Sequence, residues 1–133
     1  MKGSGPILLV EDDLDIAEAI LDVLMDEGYE VAHATNGREA LELLHSQPHP
    51  SVILLDLMMP EMDGPQFRAE QLRDPALRDI PVVVLSADRM IAQKAHELGV
   101  WGFVTKPLQP EQLVSIVEQS SHSVDPSPHS IDA

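Results

Sequence analysis

Short apolar runs return along the chain, separated by stretches of mixed polarity. They are Ile7-Leu8-Leu9-Val10, Tyr29 to Ala34, Val52-Ile53-Leu54-Leu55, Ile80 to Leu85 and Val100 to Val104. Most are continuous and rich in β-branched residues, the pattern of strands buried on both faces. Between them the spacing becomes helical. Asp15 with Glu18 reads as a capping box ahead of Ile16, Ile20, Val23 and Leu24, and Gly28 closes that helix. Asn36 with Glu39 caps a second helix carrying Ala40, Leu41 and Leu44, stopped by Pro48 and Pro50. Pro65 suits the start of a third helix bearing Phe67, Gln71 and Leu72. Ile91, Ala95 and Leu98 lie on a fourth that Gly99 ends, and Pro110 opens a fifth with Leu113, Ile116 and Val117 inward.

Five strands alternating with five helices predict right-handed βαβ units and an α/β fold around a five-stranded parallel sheet. Residues 1–5 read as a flexible N-terminal segment, 6–119 as one domain and 120–133 as a disordered C-terminal tail. From Gln119 onward five serines and two prolines leave little to bury. Charge narrows the picture further. Eight basic residues against 23 acidic ones give −15, a field that repels a polyanion, so direct nucleic-acid binding is not expected. The absence of cysteine removes disulfides, thiolate metal sites and cysteine nucleophiles. No apolar run approaches a membrane span and the first residues do not read as a signal peptide, so a cytoplasmic location without membrane contact is expected.

In an open parallel sheet, ligands bind beyond the carboxyl ends of the strands. There the chain places Glu11, Asp12 and Asp13, then Asp56, then Ser86, then Thr105, Lys106 and Pro107. A solvated turn accounts equally well for the first three acids taken alone, and Asp13 fits that reading. Asp56 alters the balance, because carboxylates from neighbouring strand ends repel unless a cation lies between them. Hard oxygen ligands of this kind suit Mg²⁺. Asp56 is followed by Leu57, Met58, Met59 and Pro60, an apolar setting for a mere solubiliser. A carboxylate beside Mg²⁺ can attack phosphorus and become an aspartyl phosphate, helped by positioning and charge neutralisation. Lys106 supplies a cation for one phosphoryl oxygen and Ser86 a hydroxyl for another. Either residue alone would pass as an ordinary strand end. His45 and His49 are split by Pro48 and do not form a metal pair, and no Gly-rich phosphate loop follows the first strand.

The segments ILLVEDD, VILLDLMMPEMDG, IPVVVLSA and GFVTKP resemble, in order and spacing, the CheY-like receiver domain of two-component response regulators. The resemblance runs from about Pro6 to Gln119. It implies a flavodoxin-like, doubly wound sheet ordered 2-1-3-4-5 with helices on both faces. It implies Asp56 as phosphoacceptor, Glu11 and Asp12 as the acidic pair for Mg²⁺, and the main-chain carbonyl of Met58 as a further ligand. Ser86 and Lys106 fall where receivers contact the phosphoryl group, Phe103 at the aromatic switch position, and a cis Lys106–Pro107 bond is expected. The implied donor is a histidine kinase or a histidine phosphotransfer protein. The implied output is a downstream protein on the face of the fourth helix, fifth strand and fifth helix.

On this reading the chain is a signalling acceptor rather than an enzyme. Two other classes compete. A Mg²⁺-dependent, aspartate-based phosphohydrolase would need a general acid near Asp56, which Leu57 and Met58 do not offer. A receiver-like binding module without phosphorylation sits poorly with a complete set of site residues. Trp101 is expected to pack beside the fourth helix and, by strand alternation, on the same side as Phe103.

Overall fold

The computed structural model describes residues 6–46, 48–59, 62–121 and 129–130. Strand and helix alternate as β1 (Ile7–Val10), α1 (Leu14–Asp26), β2 (Val31–Ala34), α2 (Gly37–Ser46), β3 (Val52–Asp56) and α3 (Gly64–Arg73). They continue as β4 (Val82–Ser86), α4 (Ile91–Leu98), β5 (Gly102–Thr105), α5 (Pro110–Ser121) and a two-residue β6 (His129–Ser130). The sheet order is β2-β1-β3-β4-β5-β6, with every pair parallel. The five strands read from the apolar runs are therefore present in the order 2-1-3-4-5.

Alternation along the strands divides the core into two layers. Leu8, Val10, Ile53, Leu55, Val82 and Val84 face α2, α3 and α4, meeting Ala40, Leu44, Phe67, Ile91 and Ala95. Ile7, Leu9, Leu54, Val83, Leu85 and Val104 face α1 and α5, meeting Ile20, Leu24, Leu113, Ile116 and Val117. This explains why the strands read as continuous apolar runs. Each side chain removed from water in this way contributes about 1.5–3 kcal/mol.

Local signals set the helix ends, with two corrections. Asp13, not Asp15, caps α1: its Oδ1 accepts from the Asp15 and Ile16 amides at 3.0 and 3.2 Å. An extended Asp13 (φ −79°, ψ 109°) can aim its carboxylate at those free N–H groups, whereas Asp15 is already helical. On α3, Leu72 is exposed, and Phe67, Arg68 and Gln71 point inward. Asn36 does cap α2, accepting from the Glu39 amide at 2.8 Å.

At the C-terminal end the last helix runs past the boundary expected at residue 119. Ser120 is buried within α5, its hydroxyl donating to the Val117 carbonyl at 3.2 Å, and the helix runs on to Ser121. His129 and Ser130 then pair with Gly102 and Phe103 of β5. Among the described residues β6 is the only strand beside β5 on the side away from β4, an edge that otherwise presents backbone groups to be paired. The remainder of the expected tail, and the expected flexible segment 1–5, lie outside the described residues.

Gly37 marks a close approach that matters for the site. Its amide donates to the Met62 carbonyl at 3.2 Å, holding the loop after β3 against the start of α2. A Cβ built at Gly37 would stand 2.6 Å from that carbonyl oxygen and 2.8 Å from Met62 Cγ. The backbone contact cannot yield as a flexible side chain would. Gly37→Ala is therefore expected to destabilise the fold by about 1–3 kcal/mol in urea unfolding, less the roughly 0.5–1 kcal/mol that alanine gains as a helix former. An unchanged midpoint would show that the loop moves aside freely.

Candidate functional site

The strands place their polar residues at the first positions clear of the core. Glu11 follows β1, Asp56 ends β3, Ser86 ends β4 and Lys106 follows β5. The register keeps them on one rim: Val10 lies opposite Leu55, Asp56 opposite Leu85, and Ser86 opposite Thr105. The Lys106 amide donates to the Ser86 carbonyl at 2.9 Å, so the last two strands stay paired up to the site. The Lys106–Pro107 bond is cis, as expected.

Glu11 and Asp56 are both buried, at 0% and 4% exposure. The Lys106 ammonium serves both, donating to Glu11 Oε1 at 3.0 Å and lying 3.6 Å from Asp56 Oδ1. Asp56 Oδ1 also accepts from the Met58 amide at 3.2 Å. Burial first, and then the neighbouring Glu11, push the Asp56 carboxyl up to about 6, against the opposing pull of Lys106 and the Met58 amide. Burial alone would lower Lys106, but its bond to Glu11 and the charges of Asp56 and Glu11 leave the ammonium above its ordinary value.

Glu11, Asp12 and Asp56 each offer a carboxylate oxygen, all within 4.8 Å of one another. One lysine does not neutralise three carboxylates, and a hard divalent cation takes this donor set. The predicted cation residues are thus brought together. Asp13 stands apart as the α1 cap. Met58 sits in the loop directly after β3 with its side chain exposed and its amide on Asp56, which puts its main chain beside the site.

Ser86 is buried, and its Oγ accepts from the Asp88 amide at 3.0 Å. Phe103 is half-buried against the layer of α2, α3 and α4. Trp101 does not share that side: it is buried in the opposite layer with Tyr29, Ile116 and Val117. The Trp101 amide already donates to the Val82 carbonyl at 2.9 Å, but the regular strand begins at Gly102 and the side-chain alternation does not extend back to position 101. A tryptophan there reports on the α1–α5 layer.

His33 was not among the predicted site residues. On β2, its Nε2–H donates to the Glu11 carbonyl at 2.8 Å, tethering the loop that presents the acids. Nothing in the spacing of the histidines marks it, because the bond depends on β2 lying next to β1.

A carboxyl held at about 6 instead of 3.8 makes folding favour the protonated form. The folded state then binds more protons than the unfolded chain between these values, so stability falls as pH rises from about 4 to about 6. The loss without metal is at most roughly 3 kcal/mol. Asp56→Asn is therefore expected to resist urea better than the wild type at pH 7.5 in the presence of chelator, with the difference closing near pH 4. Equal midpoints at both pH values would show that Asp56 is not held in this strained ionised state.

The geometry has counterparts. A family model for the response regulator receiver domain matches residues 7–118. The chain is 37% identical over 116 residues to the probable transcriptional regulator ycf29 of Pyropia yezoensis, covering 86% of this chain and 52% of that protein. It is 32% identical over 115 residues to the two-component response regulator ORR5 of Oryza sativa subsp. japonica, covering 84% and 86% respectively. The solved signal receiver domain of a signal transduction histidine kinase from Syntrophus aciditrophicus superposes with a TM-score of 0.79 at 38% identity, covering 89% of this chain and 90% of that one. The chain spans about half the length of the ycf29 relatives it matches. With its sheet order and the matching family model, the chain belongs to the response regulator receiver domains of two-component systems.

Proposed function

We propose that Asp56 accepts a phosphoryl group from a phosphohistidine, on a histidine kinase or a histidine phosphotransfer protein, with Mg²⁺ at Glu11, Asp12, Asp56 and the Met58 carbonyl. The observation that carries this reading is a buried aspartate at a strand end with two carboxylates within 4.8 Å and a lysine ammonium 3.6 Å away. Bound Mg²⁺ would neutralise phosphoryl oxygens and hold them in line for transfer.

The chain's own residues do the rest. The ionised Asp56 oxygen attacks phosphorus; the new O–P bond forms as the P–N bond to the donor imidazole breaks. The imidazole leaves with the electron pair and takes up a proton. Lys106 can turn from Glu11 toward a phosphoryl oxygen, and Ser86 can donate its hydroxyl to another. An apolar groove lined by Ile16, Ile20, Leu108 and Leu113 opens beside Lys106 and gives a protein donor a surface to hold.

Output passes to a protein on the face of α4, β5 and α5, with Phe103 as the switch residue. A net charge of −15 favours a basic partner surface and disfavours direct nucleic-acid contact by these residues. No helix among the described residues is long and apolar enough to cross a membrane. The chain is read as an acceptor that is loaded once and then discharged, not as a turnover enzyme.

Incubation with acetyl phosphate and Mg²⁺, followed by intact mass, tests the reading. One phosphoryl group per chain is expected, and none on Asp56→Asn or with excess chelator. Asp12→Ala is expected to raise the Mg²⁺ requirement by at least the 10–100-fold typical of losing even an outer-sphere partner. Turnover without accumulation would point to a phosphohydrolase, and no adduct under any condition to a binding module.

A further inference from the structure

The two edges of the sheet are finished differently. Beyond β2 no further strand lies among the described residues, whereas β5 carries β6 on the side away from β4. The pairing is parallel, Gly102 with His129 and Phe103 with Ser130. Parallel neighbours need a crossover, and α5 with the residues after it provides one. Gly102 has no side chain to keep a second backbone away, a common mark of close approach within a strand. An edge strand with free N–H and C=O groups accepts another segment through main-chain bonds. β5 therefore offers a strand-acceptor edge, and the protein's own chain is the segment found on it.

The occupant is held lightly. Two registered pairs join β6 to β5, against four between β4 and β5. Running back from His129, the sequence gives Pro128 and, two residues earlier, Pro126, neither of which has an N–H to offer a ladder. Pairing cannot be extended far in that direction. Seven residues, 122–128, separate β6 from the end of α5. A tether that short keeps its end at an effective concentration of about millimolar. A segment fastened by few bonds and a short tether returns readily once it leaves, and a competing strand can displace it.

We propose that the β5 edge is a docking site for an extended peptide segment of a partner, added parallel to β5, and that residues 129–130 are its resident competitor. A partner strand with consecutive free amides fits that edge. The net charge of −15 favours one flanked by basic or neutral residues. β5 belongs to the face assigned above to output, and the consequence for signalling rests on that reading: the chain covers its own output edge until β6 is exchanged for a partner strand. The acceptor edge itself does not depend on it. On this view the segment after α5 is a regulatory element rather than a passive extension.

Exchange of the resident strand for one in trans is measurable on the full chain. His129→Pro combined with Ser130→Pro removes both amide donors of β6 and leaves the rest of the sequence intact. Amide hydrogen exchange by NMR should then speed up at one or more of Gly102, Phe103 and Val104 by about two- to tenfold, the size expected for one net backbone bond. Ile53 and Leu54 of β3 should keep their wild-type rates, which separates loss of β6 from loss of the fold. A synthetic peptide of residues 122–133 should bind the double variant at about millimolar concentration and shift the same β5 amides. The wild type should need more peptide by the same factor by which its exchange is slowed, because only molecules with a vacant edge can take it. A peptide carrying the two prolines should shift neither protein. Unchanged β5 exchange in the double variant, or no shift of its β5 amides by the peptide, would overturn the proposal. So would wild-type protection that rises with protein concentration, since the strand would then come from a second copy. No arm uses a phosphoryl donor or mimic, so the readings of Asp56 and of the output face are judged separately.

Discussion

Two buried carboxylates share one lysine, and much of the structure follows from keeping them there. Glu11 and Asp56 extend from neighbouring strands β1 and β3, whose registered pairs end one residue short of the site. Like charges at that distance would push a pliable scaffold apart. Here the strands beneath them are packed on both faces, so the repulsion cannot relax by moving the backbone. Burial first, and then the neighbouring Glu11, hold the Asp56 carboxyl near 6, while the two carboxylates keep the Lys106 ammonium above its ordinary value against its own burial. Three carboxylates with one lysine among them make a donor set that could hold a hard cation.

The two-layer core also decides where a change at the site can travel. Val83, Leu85 and Val104 face α1 and α5, while Val84 and Phe103 face the opposite layer. Ser86 stands one residue beyond Leu85 and is paired across to Thr105. A displacement of Ser86 therefore reaches β5 through the ladder and α4 through the turn at Asp88. The α1–α5 side, where Trp101 is buried, receives neither directly.

Most of the sheet and the acidic rim could be read from the chain because both rest on local pattern. A buried parallel strand leaves an unbroken apolar run, and its first charged residue marks the exit, as at Asp56 after Val52–Leu55. Four motif segments in register then tied the exits to one family. What escaped depends on neighbours far along the chain. Asp13 and Asp15 look equally fit to cap α1, and only the backbone angle at Asp13 separates them. Trp101 and Phe103 share parity, yet strand geometry begins between them. His33 gains its partner from the pairing of β2 with β1. The pairing of His129 with β5 depends on an open edge, a property of the sheet and not of the serine-rich segment that fills it.

Arg68 is the sharpest of these cases. At a helical position that could face either way, an arginine reads as solvent-facing, because burying an unpaired charge is normally prohibitive. What makes burial tolerable is the C-terminal end of another helix, thirty residues further on, whose carbonyls need donors. Such a bond does little to select the fold, since an apolar side chain would fill the same space at no charge penalty. It does something an apolar side chain cannot: it fixes one end of α4 by direction as well as by contact. A helix held at both ends by packing alone would shift as a body or not at all. One held by oriented bonds from Arg68 at Leu98 and Gly99, and by a half-exposed ion pair of Asp88 with Lys94, is fastened unequally at its two ends.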